Sequence, residues 1–136
     1  MSTLTSAIGA ASSALDVQRA RLEVAVSNLA NAESTRTEAG GPYRRREVVI
    51  EAVPQQGGAG SGVRVAGIVE DQSPFQQRFE PANPDADETG FVSMPNVDVP
   101  EEMVDMLSAA RAYQANLAAI TLIRETVQRA LDLGRS

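Results

Sequence analysis

The chain has 136 residues, enough for one domain with a modest core. Its net charge of −6 argues against general nucleic-acid binding, and all twelve basic residues are Arg. With no Cys and no His, disulfides, thiol chemistry, nitrogen- or sulfur-ligated zinc and imidazole catalysis are excluded.

The first predicted element is a helix from Ser2 to Ala32, about 45 Å long. Ser2, Thr3 and Thr5 offer capping hydroxyls, Ala is abundant, and no Pro occurs before Pro42. Leu4, Ile8, Ala11, Leu15, Gln18, Leu22, Ala25 and Leu29 step by four and three, a heptad stripe on one face. The start of the chain lacks a basic region followed by a dense apolar run, so a general secretory signal is not expected, and no stretch is long and apolar enough for a transmembrane helix. On these features alone the chain reads as cytosolic.

Glu38-Ala-Gly-Gly-Pro42 breaks the helix. Arg44, Arg45 and Arg46 follow, expected to be solvated or paired with Glu47 and Glu51. Glu47–Glu51 and Val63–Val69 read as two strands of a β-hairpin joined by the Gly-rich turn 57–62. Two strands alone are marginal in water, so this hairpin should lean on a helix or on another molecule. Ser73–Met94 reads as an irregular loop with one short strand, Phe91–Met94. From Glu70 to Asp105 the chain carries −9, leaving +3 for the remainder, an asymmetry that favours ordered head-to-tail contacts.

The last element is a helix from Asp98 to Leu133, about 54 Å long. Pro100 suits the first helical position, Glu101 and Glu102 suit the helix dipole, and Asn96 and Asp98 are the expected caps. Gly134 is read as the stop. Met103, Met106, Ala110, Tyr113, Leu117, Ile120, Arg124, Val127 and Leu131 form a second heptad stripe, widened by Leu107, Leu122, Ile123 and Leu133. The fold class is therefore mainly α: long terminal helices forming a coiled-coil-like pair, with a small β-hairpin and irregular insertion between them. The division expected is a discontinuous helical unit, residues 1–35 and 98–136, and an insertion, residues 36–97.

Sites for chemistry are not found. Asn83, Asp85 and Asp87 have the first three spacings of a calcium loop, but the sixth position is Glu88 rather than Gly and the twelfth is Met94 rather than Glu. The Gly-rich run satisfies no phosphate-loop pattern. No catalytic residue, cofactor or metal is expected, and the chain is not read as an enzyme. The stripes suit assembly, since two helices alone cover only one seam each.

Specific motifs go further. Ser27-Asn-Leu-Ala-Asn31-Ala-Glu-Ser-Thr35 closes the first helix, and Met94-Pro-Asn-Val-Asp-Val-Pro-Glu-Glu-Met103 leads into the second, followed by Ala110-Arg-Ala-Tyr-Gln-Ala-Asn116. These resemble the terminal signatures of the flagellar rod and hook protein family, carried here by Asn28, Leu29, Asn31, Pro95, Asn96, Val97, Asp98, Glu102 and Met103. Glu80-Pro-Ala-Asn-Pro-Asp-Ala-Asp87 before Gly90-Phe-Val, with Gly41-Pro-Tyr-Arg44, resembles the proximal-rod branch. The resemblance implies a structural subunit of the drive shaft that passes torque from the membrane ring to the hook and lines the export channel. It replaces the cytosolic reading with a rod crossing the periplasm, reached through the flagellar type III export apparatus without a cleaved signal peptide. The partners it implies are further copies of the chain, other proximal and distal rod proteins, the rod–membrane ring adaptor, the membrane ring and, during secretion, the export apparatus, with no nucleic acid and no membrane insertion. Leu4, Ile8, Leu15, Leu22 and Leu29, with Met103, Met106, Tyr113, Leu117, Ile120, Val127 and Leu131, are the expected assembly residues. The competing expectation is a free coiled-coil adaptor for a helical partner.

Overall fold

The computed structural model describes residues 2–54 and 60–135. The chain runs α1 (Ser2–Ala30), β1 (Arg46–Pro54), β2 (Ser61–Glu70), β3 (Gln76–Phe79), β4 (Phe91–Met94) and α2 (Val99–Arg135). Both predicted helices form, α2 continuing through Gly134 to Arg135. Gly134 is therefore not the stop expected of it; the glycines with positive φ are Gly40, Gly41 and Gly90, among the described residues.

β1 and β2 pair antiparallel as predicted and are longer than expected, with a register shift between Val49 and Ile50. Part of the Gly-rich turn, residues 57–59, lies outside the described residues. The hairpin leans on α1. Asn28, near the end of α1, binds the backbone of Arg46 at the start of β1, and Ser13, two-thirds of the way back, accepts the amide of Val63 on β2 at 3.1 Å. Val63 pairs with Ala52. Asn28 to Ser13 spans about 22 Å of helix and Arg46 to Ala52 about 20 Å of strand, so the ribbon runs back along the helix at matched length.

β3 is a departure from the sequence reading, which treated these residues as irregular. It pairs with β4 over Gln76–Phe79 and Phe91–Met94. All four residues of β3 are exposed, so Gln-Gln-Arg-Phe has no apolar alternation to betray it. β4 is the inner strand, with Val92 and Met94 buried, and Pro95 and Val97 continue the buried run into α2.

The two helices pack against each other, but along a line displaced from the stripes. On α2 Glu102 and Ala109 are buried, and Asp105, Met106, Ala110, Ala112, Tyr113, Asn116, Ile120, Ile123 and Val127 are half-buried. This face shares Met106, Ala110, Tyr113, Ile120 and Val127 with the predicted stripe and uses Glu102, Asn116 and Ile123 in place of Met103, Leu117 and Arg124. Met103, Leu117 and Leu131 consequently stay exposed. On α1 the buried residues are Val17, Ala25 and Asn28, while Ile8, Leu15, Leu22 and Leu29 are half-buried and Leu4 is exposed. α1 has two neighbours, α2 and the β1–β2 hairpin; α2 has only α1 among the described elements.

Candidate assembly site

The geometry that matters is the joint where the middle of the chain fastens α1 to α2. Asn28 is 1% exposed. Its side-chain oxygen accepts from the Arg46 amide at 3.0 Å and from the Tyr43 hydroxyl at 2.9 Å, and its Nδ2 donates to the Arg46 carbonyl at 2.9 Å. One amide thus satisfies both backbone groups of Arg46, as a neighbouring strand would. Asn31 has a local role: its Nδ2 donates to the Ser27 carbonyl at 2.9 Å and its oxygen accepts from Ser34 Oγ at 3.1 Å, closing the last turn of α1. Asn28→Ala removes the side-chain partner of the Arg46 amide and carbonyl and leaves the Tyr43 hydroxyl only the Ser27 hydroxyl at 3.4 Å, and should lower stability by about 2–3 kcal/mol in urea unfolding, against about 1 kcal/mol for Tyr43→Phe.

Arg45 is the ionic centre. Its Nε binds Glu102 and its Nη1 binds Glu47; Asp71 lies 3.6 Å from Nη1 and Asp105 3.5 Å from Nη2. Burial opposes the Arg45 charge, but the hydrogen bonds to Glu102 and Glu47 outweigh it and hold the guanidinium well above its ordinary pKa. Glu102 is 1% exposed, the largest fully buried side chain among the described residues. From the sequence, Glu102 is expected to complement the helix dipole, and the Arg run to be solvated or paired with Glu47 and Glu51. Glu51 instead pairs with Arg64 across the hairpin. Arg44 lies over the Phe75 ring, 4.2 Å from its centroid, and donates to the carbonyls of Asp71 and Ser73 at 3.1 and 3.2 Å.

Asp98 caps α2 as expected, its carboxylate accepting the Glu101 amide at 3.0 Å. Asn96 does not share that role. Two residues upstream of the cap, it accepts the Arg45 amide at 2.7 Å and donates to the carbonyls of Asp71 and Ser73 at 3.0 and 3.2 Å, so it ties three chain segments together. Between the joint and the helices lies a cavity of about 190 Å³, lined by Val24, Ala25, Asn28, Arg45, Glu102 and Asp105 among others.

The carboxylates once compared with a calcium loop staple the 80–91 segment. Asp85 accepts from Thr35 Oγ1 at 2.7 Å and pairs with Arg36. Asp87 accepts from Thr89 Oγ1 at 2.6 Å and from the amides of Thr89 and Phe91 at 2.9 and 3.0 Å. No group of Asp and Glu that could hold a metal occurs among the described residues. The Thr35 hydroxyl, then Arg36, lowers the Asp85 pKa; the Thr89 hydroxyl, then backbone amides, lowers that of Asp87; and Ser73, then Arg45, lowers that of Asp71. All three values fall below the ordinary 3.8. On acidification the unfolded chain therefore takes up protons first, so their stabilisation is complete above about pH 5 and is lost as pH falls past 3.8 and through the depressed folded values. Urea midpoints should be flat from pH 6 to 5 in these groups' contribution and drop below pH 4, with a shallower drop in Asp87→Asn.

Away from the joint, α2 presents an uncovered apolar flank. Val99, Met103, Leu107 and Leu117 are exposed on the side next to the α1-facing line, and Val104 and Leu122 lie further round.

Comparison with known proteins identifies what carries this arrangement. Residues 88–133 match the family described as flagellar basal body rod FlgEFG protein C-terminal. The flagellar basal-body rod protein FlgC of Salmonella typhimurium is 46% identical over 125 residues, covering 92% of this chain and 93% of the relative. This chain belongs to the FlgC family of flagellar basal-body rod proteins. FlgC of Borreliella burgdorferi is 41% identical over 147 aligned residues (96% and 97% covered), and FlgC of Bacillus subtilis 38% over 144 (94% and 96%). In this family member the region matched by the family's C-terminal description, residues 88–133, contains β4, the Asn96 tie and α2 as far as Leu133. The uncovered flank from Val99 to Leu117 therefore falls within it, as do Asn96, Glu102 and Asp105 of the joint, while Asn28, Tyr43, Arg45, Glu47 and Asp71 lie outside.

Proposed function

We propose that the chain is a structural subunit of the flagellar basal-body rod, not an enzyme, and that it assembles there with other rod proteins. The observation that carries this beyond the family name is the unequal covering of the helices: among the described elements α1 packs on α2 and the hairpin while α2 packs on α1 alone, leaving Met103, Leu107 and Leu117 in water. A soluble monomer gains nothing from such a flank, whereas a helical array buries it. In this reading the stripe residues divide the work. Leu15, Leu22 and Leu29 support the fold and the array together, while Met103, Leu117 and Leu131 serve the array alone.

The finer reading follows the same line. The terminal helices would pack with those of neighbouring subunits in a coiled-coil-like tube around an export channel, as a proximal-rod element that transmits torque. The joint around Arg45 would fix each subunit's middle segment, residues 36–97, at a constant angle to its helices, as a shaft requires. Export before folding would proceed through the flagellar type III route, since long helices whose apolar faces are wet gain most of their stability only on packing.

Circular dichroism tests this against the adaptor reading. The dilute chain should show less helix than the 29 and 37 residues of α1 and α2 provide, and gain it on assembly. A monomer or simple dimer at micromolar concentration with both helices formed along their full length would favour the adaptor, whereas a fold centred on the joint, cooperative in urea but with incomplete helices, fits the rod subunit.

A further inference from the structure

The β1–β2 hairpin meets α1 through opposite edges at its two ends. At the near end both backbone groups of Arg46, on β1, bind the Asn28 side chain. At the far end the Val63 amide, on β2, donates to Ser13 Oγ at 3.1 Å. A backbone amide has one hydrogen, so at these positions each strand turns its outer edge to the helix and away from its partner. The ribbon therefore crosses α1. Its register shift lies between the two ties: Val49 pairs with Gly67 and Ile50 with Val65, which leaves Ala66 as the extra residue of a bulge. A bulge adds twist, and that twist carries the ribbon from one edge to the other.

The two ends are held unequally. Asn28 is buried and takes part in three hydrogen bonds, with the Arg45 ion pairs beside it. Ser13 is half-buried, and its hydroxyl gives the strand one bond while donating to the Ala10 carbonyl at 2.8 Å. Ser6, Ala10 and Val17 share the Ser13 side of α1, and only Val17 among them is a large apolar residue, so this half of the contact buries little apolar area. The hairpin correspondingly keeps Ile50, Ile68 and Val69 exposed. Leu15 and Leu22 lie about half a turn round the helix from Ser13, at 100° per residue.

We propose that the hairpin is a strap, hinged at the Asn28 clamp and latched to α1 by Ser13, whose far half opens from the helix while the joint stays closed. Opening leaves the Leu15–Leu22 side of α1 untouched. The strap gives the middle of the chain one adjustable element beside a fixed one. It goes beyond the rod-subunit reading and does not depend on it.

Amide hydrogen exchange in the full-length chain, read residue by residue by nuclear magnetic resonance, tests the latch, because Val63 and Arg46 are outer-edge amides at the two ends. With intrinsic rates divided out, Val63 should exchange about a hundredfold faster than Arg46, through local opening. Ser13→Ala should speed Val63 by about a further fivefold and leave Arg46 within about twofold of the wild type. Alanine is the best helix former, so this variant keeps α1. Equal protection of the two amides, equal acceleration of both in Ser13→Ala, or a Val63 rate that Ser13→Ala leaves unchanged would overturn the strap and leave the subunit reading standing.

Discussion

Arg45→Ala should destabilise the fold by about 3–5 kcal/mol, and Glu102→Ala by less, about 1–3 kcal/mol. The asymmetry is the informative part. Glu102 is buried, and Arg45 is its ion-pair partner among the described residues, so deleting Arg45 leaves a buried carboxylate without its cation. Deleting Glu102 leaves Arg45 with Glu47, Asp71 and Asp105 on its more exposed side. Arg45→Lys should fall between the wild type and Arg45→Ala, because an ammonium keeps the charge but cannot reach several carboxylates with a planar fork. Urea unfolding followed by circular dichroism at pH 7 checks the order. Equal losses for both deletions would mean that the pair is wetter than the geometry indicates.

The second large effect is on assembly and not on folding. Leu117 is 48% exposed and lies off the line that α1 covers. Leu117→Asp should therefore change the stability of the isolated chain by no more than about 0.5 kcal/mol while abolishing motility. An aspartate facing a neighbouring helix would be desolvated without a partner, a cost of several kcal/mol at every subunit contact. Leu22→Asp should abolish motility as well, but with a measurable loss of fold stability, because Leu22 is already half-buried within the chain. The pair separates the two duties of the stripes. Motile cells carrying Leu117→Asp at normal protein level would sink the assignment of this flank to assembly.

The helices and the hairpin were legible in the sequence because each follows a local period: three and four in the helices, two in Val63, Val65 and their partners. The capping by Asp98 was legible for the same reason, being a contact between residues three apart. What local pattern cannot carry is pairing over distance. Arg45 and Glu102 are 57 residues apart, and Asn96 reaches Arg45 across 51. A signal for the first did exist: Glu102 lies four residues before Met106 and eleven before Tyr113, which puts a carboxylate on the covered face of α2 and asks for a cation. On α2 the line covered within the chain lies partly one residue away from the apolar stripe because the apolar face is wide. Met103 and Leu117 are better hydrophobes than Glu102 and Asn116, and the periodicity favours the apolar set, while packing inside the chain uses the adjacent one. The sequence period marks the face proposed here for assembly as readily as the one used within the chain. β3 was missed because a fully exposed strand carries no alternation, and its partner β4 supplies all the burial of that ribbon.

The central claim is that this chain is a rod subunit whose uncovered α2 flank is buried by its neighbours. Electron cryomicroscopy of basal bodies isolated from the source cells tests it directly. The account predicts density for this chain in the rod, with Met103, Leu107 and Leu117 packed against helices of adjacent subunits and the Arg45–Glu102 joint intact. A rod without this chain, or one in which that flank faces solvent, would contradict it.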